Sequence, residues 1–248
     1  MENSAFIRIS FLALLVISQE NATGGEIESM HANNANSPSE QVLAENPARP
    51  GDVSPTRGTL YASDFASLAE GDFPADLTFR GGSTQIDNSQ GDAMLRFAGG
   101  SWFHIPLTAT LAESFVIEFD YYTNETYAVL FVSPFDAAVS GRTPPSYSGY
   151  RQGQFHFFSI ANTSVGVAID AASDSLPKAN AQHSAFTDGV VPIRLEVKGN
   201  QAKIFVEGNQ IVLHPSATFL RTDVIEFFYG SMGAPGNGYV GNIRIRSL

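Results

Sequence analysis

The chain has 248 residues, with 14 Lys plus Arg against 25 Asp plus Glu and a formal charge of −11. That length suits one large domain or two small ones, and the acidic balance leaves no basic footprint for nucleic acid or an anionic membrane surface. Cysteine is absent, which removes disulfides, thiolate metal sites, Fe–S clusters, Cys-linked lipids and any Cys nucleophile.

Residues 1–22 read as an export signal. Ile7 to Ser18 is IRISFLALLVIS, and from Ile9 its apolar run is about ten residues long, the length of a signal h-region rather than of a membrane span. Arg8 and the amino terminus supply a weak positive n-region, opposed by Glu2. Cleavage after Ser18 would place Val16 and Ser18 at the small-residue positions; cleavage after Ala22 would put Glu20 in a poor place. The expected location is therefore outside the cytoplasm: periplasmic, outer-surface or extracellular. No later stretch approaches the roughly 18 apolar residues of a span. Residues 23–57 are rich in Asn, Ser, Glu, Pro and Gly and hold too few large apolar side chains to offset their ordering entropy, so they read as a flexible linker.

From residue 58 onward apolar and polar residues alternate, and turn residues punctuate the chain every eight to twelve positions or so. Strands are expected at Thr59–Asp64, Leu77–Arg80, Ala93–Phe97 and Ser101–Ile105. The clearest is Ser114–Tyr122, where Phe115, Ile117, Phe119 and Tyr121 fall on one face and Glu118, Asp120 and Tyr122 on the other. Ala128–Ser133, Gln154–Ile160 and Ser164–Ile169 follow. Val191 to Leu213 then reads as a three-strand meander with two-residue loops at Gly199-Asn200 and Gly208-Asn209. Val224–Tyr229 is aromatic on both faces and so reads as a central strand. In the last strand, Tyr239–Ser247, Gly241, Ile243 and Ile245 are expected on one side and Asn242, Arg244 and Arg246 on the other. No long 3.6-residue period occurs. The pattern implies an all-β domain over residues 58–248, with about 12–14 antiparallel strands in two stacked sheets and almost no helix.

The meander VPIRLEVKGNQAKIFVEGNQIV (Val191 to Val212) resembles the late-strand signature of the concanavalin A-like lectin/glucanase superfamily, in the manner of laminin-G-type modules, with Glu207-Gly208 at the turn. EGDFPADLTF (Glu70 to Phe79), GGSWFHIP (Gly99 to Pro106), LAESFVIEFDYY (Leu111 to Tyr122) and GYVGNIRI (Gly238 to Ile245) look like the jelly-roll module that precedes the OmpA domain in bacterial OmpA-family surface proteins. The resemblance implies a jelly-roll sandwich. It carries no function by itself.

Glucanases of this superfamily use E-x-D-x-E or E-x-D-x-x-E strands, whose alternation places two carboxylates on one face about 5–5.5 Å apart for a retaining mechanism. Glu118 and Asp120 supply the first two positions here, but Tyr122 and Thr123 stand where the acid/base Glu belongs, and Glu125 has the wrong parity. They are weak catalytic candidates on an otherwise non-catalytic pattern. The five His (31, 104, 156, 183 and 214) show no metal-ligand spacing, and no nucleophile elbow, Walker A or dinucleotide fingerprint occurs, so no nucleotide is expected. No cofactor is expected; scattered loop Asp and Asn residues leave calcium as the one candidate ion. The stretch from Ser133 to Arg151 is the longest without alternation and holds Arg142, Tyr147, Tyr150 and Arg151, residue types that stack on sugars and bond their hydroxyls. With Tyr122 and His156 these form the candidate ligand set. Trp102, beside a Gly-Gly turn, reads as core. The functional expectation is an exported, non-catalytic module for a glycan or another cell-envelope polymer, or for adhesion; the alternatives are a divergent glycoside hydrolase and a purely structural envelope module.

Overall fold

The computed structural model describes residues 58–125, 127–135, 154–160, 164–170, 189–215, 217–231 and 236–248. The signal and linker readings, and the loop holding Arg142, Tyr147, Tyr150 and Arg151, lie outside the described residues. Fourteen strands and no helix are found among those described: β1 (Thr59–Ser63), β2 (Thr78–Gly81), β3 (Thr84–Asp87), β4 (Met94–Ala98), β5 (Ser101–Pro106), β6 (Phe115–Thr123), β7 (Tyr127–Pro134), β8 (Gln154–Ile160), β9 (Ser164–Asp170), β10 (Val191–Lys198), β11 (Gln201–Val206), β12 (Asn209–His214), β13 (Val224–Ser231) and β14 (Asn237–Ser247).

The strands form two antiparallel sheets. The eight-stranded sheet runs β12-β11-β10-β6-β14-β4-β3, with β1 also paired to β14; the six-stranded sheet runs β2-β5-β13-β7-β8-β9. β14 is the longest strand, and it serves two partners along one edge. Asn237 to Val240 pair with β4, Ile243 to Arg246 pair with β1, and nearly its whole length pairs with β6 on the other edge.

Alternation decides which side chains enter the core. Phe115, Ile117, Phe119 and Tyr121 of β6 are buried between the sheets, as are Ile193, Leu195 and Val197 of β10 and Phe103, Phe227 and Phe157 from the opposite sheet. The layers meet through aromatic rings. Phe227 stacks on Phe103 at 5.2 Å and takes Phe119 edge-on at 5.4 Å, while Phe119 also meets Phe157 edge-on at 5.8 Å. At one end of the core the rings give way to a buried polar node. The Tyr229 hydroxyl donates to Glu125 Oε2 at 3.0 Å and lies 2.9 Å from the Thr123 hydroxyl, which donates to the Asn237 carbonyl at 3.1 Å. Burial foremost, with the charge of Glu125 adding to it, pushes the Tyr229 hydroxyl well above the usual tyrosine range, so it remains a neutral donor.

Four expectations need correction. The second meander turn is Glu207-Gly208, one residue earlier than Gly208-Asn209. Both residues have positive φ (51° and 79°), as a type I′ hairpin turn requires, and Asn209 already pairs with Val206. β3 was not expected; only Ile86 marks it, and its partner β4 holds it in place. β14 carries a bulge between Gly241 and Arg244, so Gly241 faces outward opposite Asp120 while Ile243 and Ile245 face inward. Trp102 lies on the outer face of the six-stranded sheet, opposite Phe228, and is only half-buried.

Gly238 is required by close approach. A Cβ there would come within 2.6 Å of both the Phe97 and Tyr229 rings. Gly238→Ala is expected to cost about 2 kcal/mol or more, as overpacking does, seen as a lower urea midpoint at unchanged slope. Gly189→Ala, with nothing within 4 Å of the added carbon, should leave the midpoint where it is.

Candidate functional site

The outer faces of the two sheets carry different chemistry. On the six-stranded sheet the register sets two parallel cross-strand rows. Trp102, Phe228 and Phe131 stand opposite one another on β5, β13 and β7, and His156 continues the row by register on β8. Two residues along, His104, Glu226 and Ser133 form the second row. The alternation that sends Phe103, Phe227 and Val132 into the core forces these neighbours outward.

The aromatic row is continuous. Ring centroids are 6.4 Å apart for Trp102–Phe228 and 5.8 Å for Phe131–Phe228, tilted by 45° and 40°. Gly81 makes this possible at the sheet edge: a Cβ there would lie 2.8 Å from the Trp102 ring, so the indole extends over β2 only because that position has no side chain. In the polar row His104 Nε2 is 3.1 Å from Glu226 Oε2, and both side chains are buried. The Phe135 ring lies 4.1 Å from the His104 ring. Phe135 is fixed by its backbone, which donates to the Val224 carbonyl at 2.9 Å and accepts from the Thr222 hydroxyl. The buried, hydrogen-bonded imidazole and carboxylate hold each other and the adjoining Phe135 ring in place beside the aromatic row.

This end of the sheet is also where the candidate loop is rooted. β7 ends at Pro134 beside Ile225, and β8 begins at Gln154 opposite Asp170. Arg142, Tyr147, Tyr150 and Arg151 belong to the connection between those two ends, outside the described residues. The His156 side chain is likewise not among those described.

Glu118, Asp120 and Tyr122 lie elsewhere, on the outer face of β6 in the eight-stranded sheet. Glu118 is flanked by Arg194 and Arg246, each 3.9 Å away. The amide of Asn242, held at φ 47° by the β14 bulge, donates to Asp120 Oδ2 at 2.6 Å. Burial, reinforced by nearby Asp92, raises the Asp120 carboxyl above the usual range despite that bond. Tyr122 stands 5.4 Å from Tyr239 in the next strand. The two catalytic candidates are therefore separated by the core from the His104–Glu226 pair. Sequence reasoning overlooks two residues here: Glu226 and Phe228 sit in a run already read as a two-faced strand, and only the register to Trp102 and His104 brings them together.

No group of His, Asp and Glu among the described residues has the arrangement to hold a metal ion, and no helix among them is long and apolar enough to cross a membrane.

No family model and no curated protein matches the sequence. Solved structures do match. An endo-acting O-glycanase from prominent members of the human gut microbiota, which initiates mucin breakdown, aligns with a TM-score of 0.54 at 10% identity, over 77% of this chain and 99% of that one. A Bacillus licheniformis β-glucanase aligns at 0.53 and 9% identity, over 78% and 100%. The binding domain of botulinum neurotoxin DC in complex with SialylT aligns at 0.52 and 11% identity, over 77% of this chain and 48% of that one. At such identities the likeness establishes the fold, a concanavalin A-like jelly-roll sandwich. That fold is shared by glycan-binding domains and glycosidases.

Two outcomes follow from the geometry. His104→Leu or Glu226→Leu alone should cost about 3 kcal/mol, because each leaves a buried polar partner behind, while the double variant should cost less than the sum in a double-mutant cycle of urea midpoints. Because the raised Asp120 value favours its protonated form in the folded state, its contribution to stability is present at acid pH and lost as pH rises through the folded value. Asp120→Asn should therefore gain in melting temperature relative to the parent as pH rises above the ordinary aspartate range of about 4; a difference that shrinks with rising pH would contradict the assignment.

Proposed function

We propose that this is an exported, non-catalytic recognition module that binds a neutral glycan on the outer face of the six-stranded sheet. The observation that carries the reading is the pairing of the Trp102–Phe228–Phe131 row with the His104–Glu226–Ser133 row. Aromatic rings stack on the apolar faces of sugars, here through the partly exposed Trp102 and Phe131, which the buried Phe228 and the buried His104–Glu226–Ser133 row hold in position. Arg142, Tyr147, Tyr150, Arg151 and His156 belong to the same proposal, as candidates for closing the site from the β7–β8 connection and from β8. A retaining hydrolase needs two carboxylates about 5–5.5 Å apart; among the described side chains of this face, Glu226 is the one carboxylate. The likeness of its motifs to the module of OmpA-family surface proteins favours a cell-envelope setting.

The test is affinity electrophoresis of the full chain against a soluble mixed-linkage β-glucan and desialylated mucin, with a reducing-end assay on the same polymers. Retardation by one of them, weakened about tenfold in Trp102→Ala, is expected for an anchor residue of this kind. Retardation by neither polymer, or an unaffected Trp102→Ala, would refute the site. Release of reducing ends that disappears in Glu226→Gln would replace recognition with hydrolysis.

A further inference from the structure

The sequence contains no run of basic residues, yet the fold assembles one. Arg194 and Lys198 of β10, Lys203 of β11, and Arg244 and Arg246 of β14 all stand on the outer face of the eight-stranded sheet. The register places Arg194, Glu118 and Arg244 in one cross-strand row and Lys203, Glu196, Val116 and Arg246 in the next. Five of the chain's 14 basic residues thus meet three of its 25 acidic ones, Glu118, Glu196 and Asp120. The patch is locally positive on a chain whose formal charge is −11. From β11 to β14 it spans three strand spacings, about 14 Å.

The acidic groups within it are already committed. Glu196 is bonded by Arg194 at 2.7 Å and Lys198 at 2.9 Å, and although burial opposes its ionisation, these two cations hold it below the usual carboxylate range. Glu118 lies between Arg194 and Arg246, and Asp120 accepts from Asn242. Cationic capacity remains in excess. Lys203 and Arg244 make no ion pair among the described residues, and Arg194 Nε is buried with no hydrogen-bond partner. The side chains of Arg194 and Lys198 are 41% and 59% exposed.

We propose that this face is a second binding surface, for an acidic polysaccharide bearing carboxylates along its length. Guanidinium forks match carboxylates in geometry, and several contacts made together on a repeating polymer give an affinity that none gives singly. On a chain whose formal charge is −11, so small a positive patch favours a flexible chain of moderate charge density over a nucleic acid duplex, which the net negative charge repels. The proposal is independent of the neutral-glycan site, which lies on the other sheet.

The test is binding of the full chain to sodium polygalacturonate in low salt, with dextran as the neutral control and duplex DNA as the competing polyanion. Retention on polygalacturonate that falls steeply with added NaCl is expected. Lys203→Gln/Arg244→Gln removes two cations that make no ion pair among the described residues, so folding, checked by circular dichroism, should be preserved while affinity drops about tenfold; Arg244→Glu alone should weaken it further than Arg244→Gln. Binding to β-glucan should be unchanged in these variants. Absence of binding to polygalacturonate by the parent chain, an undiminished double variant, duplex DNA bound as tightly as polygalacturonate, or loss of the binding in Trp102→Ala would each overturn the proposal.

Discussion

The contact between Phe119 and the two rings it meets edge-on, Phe157 and Phe227, is the constraint on which the rest depends. Phe119 belongs to the eight-stranded sheet and the other two rings to the six-stranded sheet, so their separation fixes how closely the layers stack. Once Phe119, Phe227 and Phe157 point inward, period-2 geometry leaves no choice about their neighbours. Glu118 and Asp120 must face out on one side of the molecule, and Glu226 and Phe228 on the other. The surface chemistry of both sheets is thus a by-product of core packing, and a one-residue slip in either central strand would exchange interior and exterior along its length.

Closed packing also explains the points where the regular pattern breaks. Gly238 admits the Phe97 and Tyr229 rings, and Gly81 admits the indole of Trp102. The bulge at Asn242 re-aims β14 so that Ile243 and Ile245 reach the core and the amide of Asn242 reaches Asp120. Each break lies beside a polar or aromatic feature that regular pairing would not have produced.

Much of this was legible in the sequence. Thirteen strand positions follow from alternation and turn residues, and Val224–Tyr229, with large side chains on both faces, does lie between β5 and β7. β3 escaped because a short strand with one buried aliphatic has no period to detect. Turn residues alone place the second meander turn one residue late, at Gly208-Asn209, because a non-glycine residue with positive φ leaves no compositional mark; the family resemblance places it at Glu207-Gly208. The sites were less legible for a different reason. His104 and Glu226 are 122 positions apart, as are Asp120 and Asn242. Spacing rules find partners within a few residues; these meet only through the register of neighbouring strands within a sheet.

The placement of β14 has a consequence for how the chain acquires its shape. This strand, last of the fourteen, completes the hydrogen bonding of β6 and supplies the edge on which both β1 and β4 close. Until it emerges during synthesis, three earlier segments have open edges toward one missing neighbour. Such long-range closure makes for slow assembly and for a half-made sandwich prone to wrong associations, so the earlier strands have reason to stay unstructured, or shielded by a chaperone, until β14 arrives.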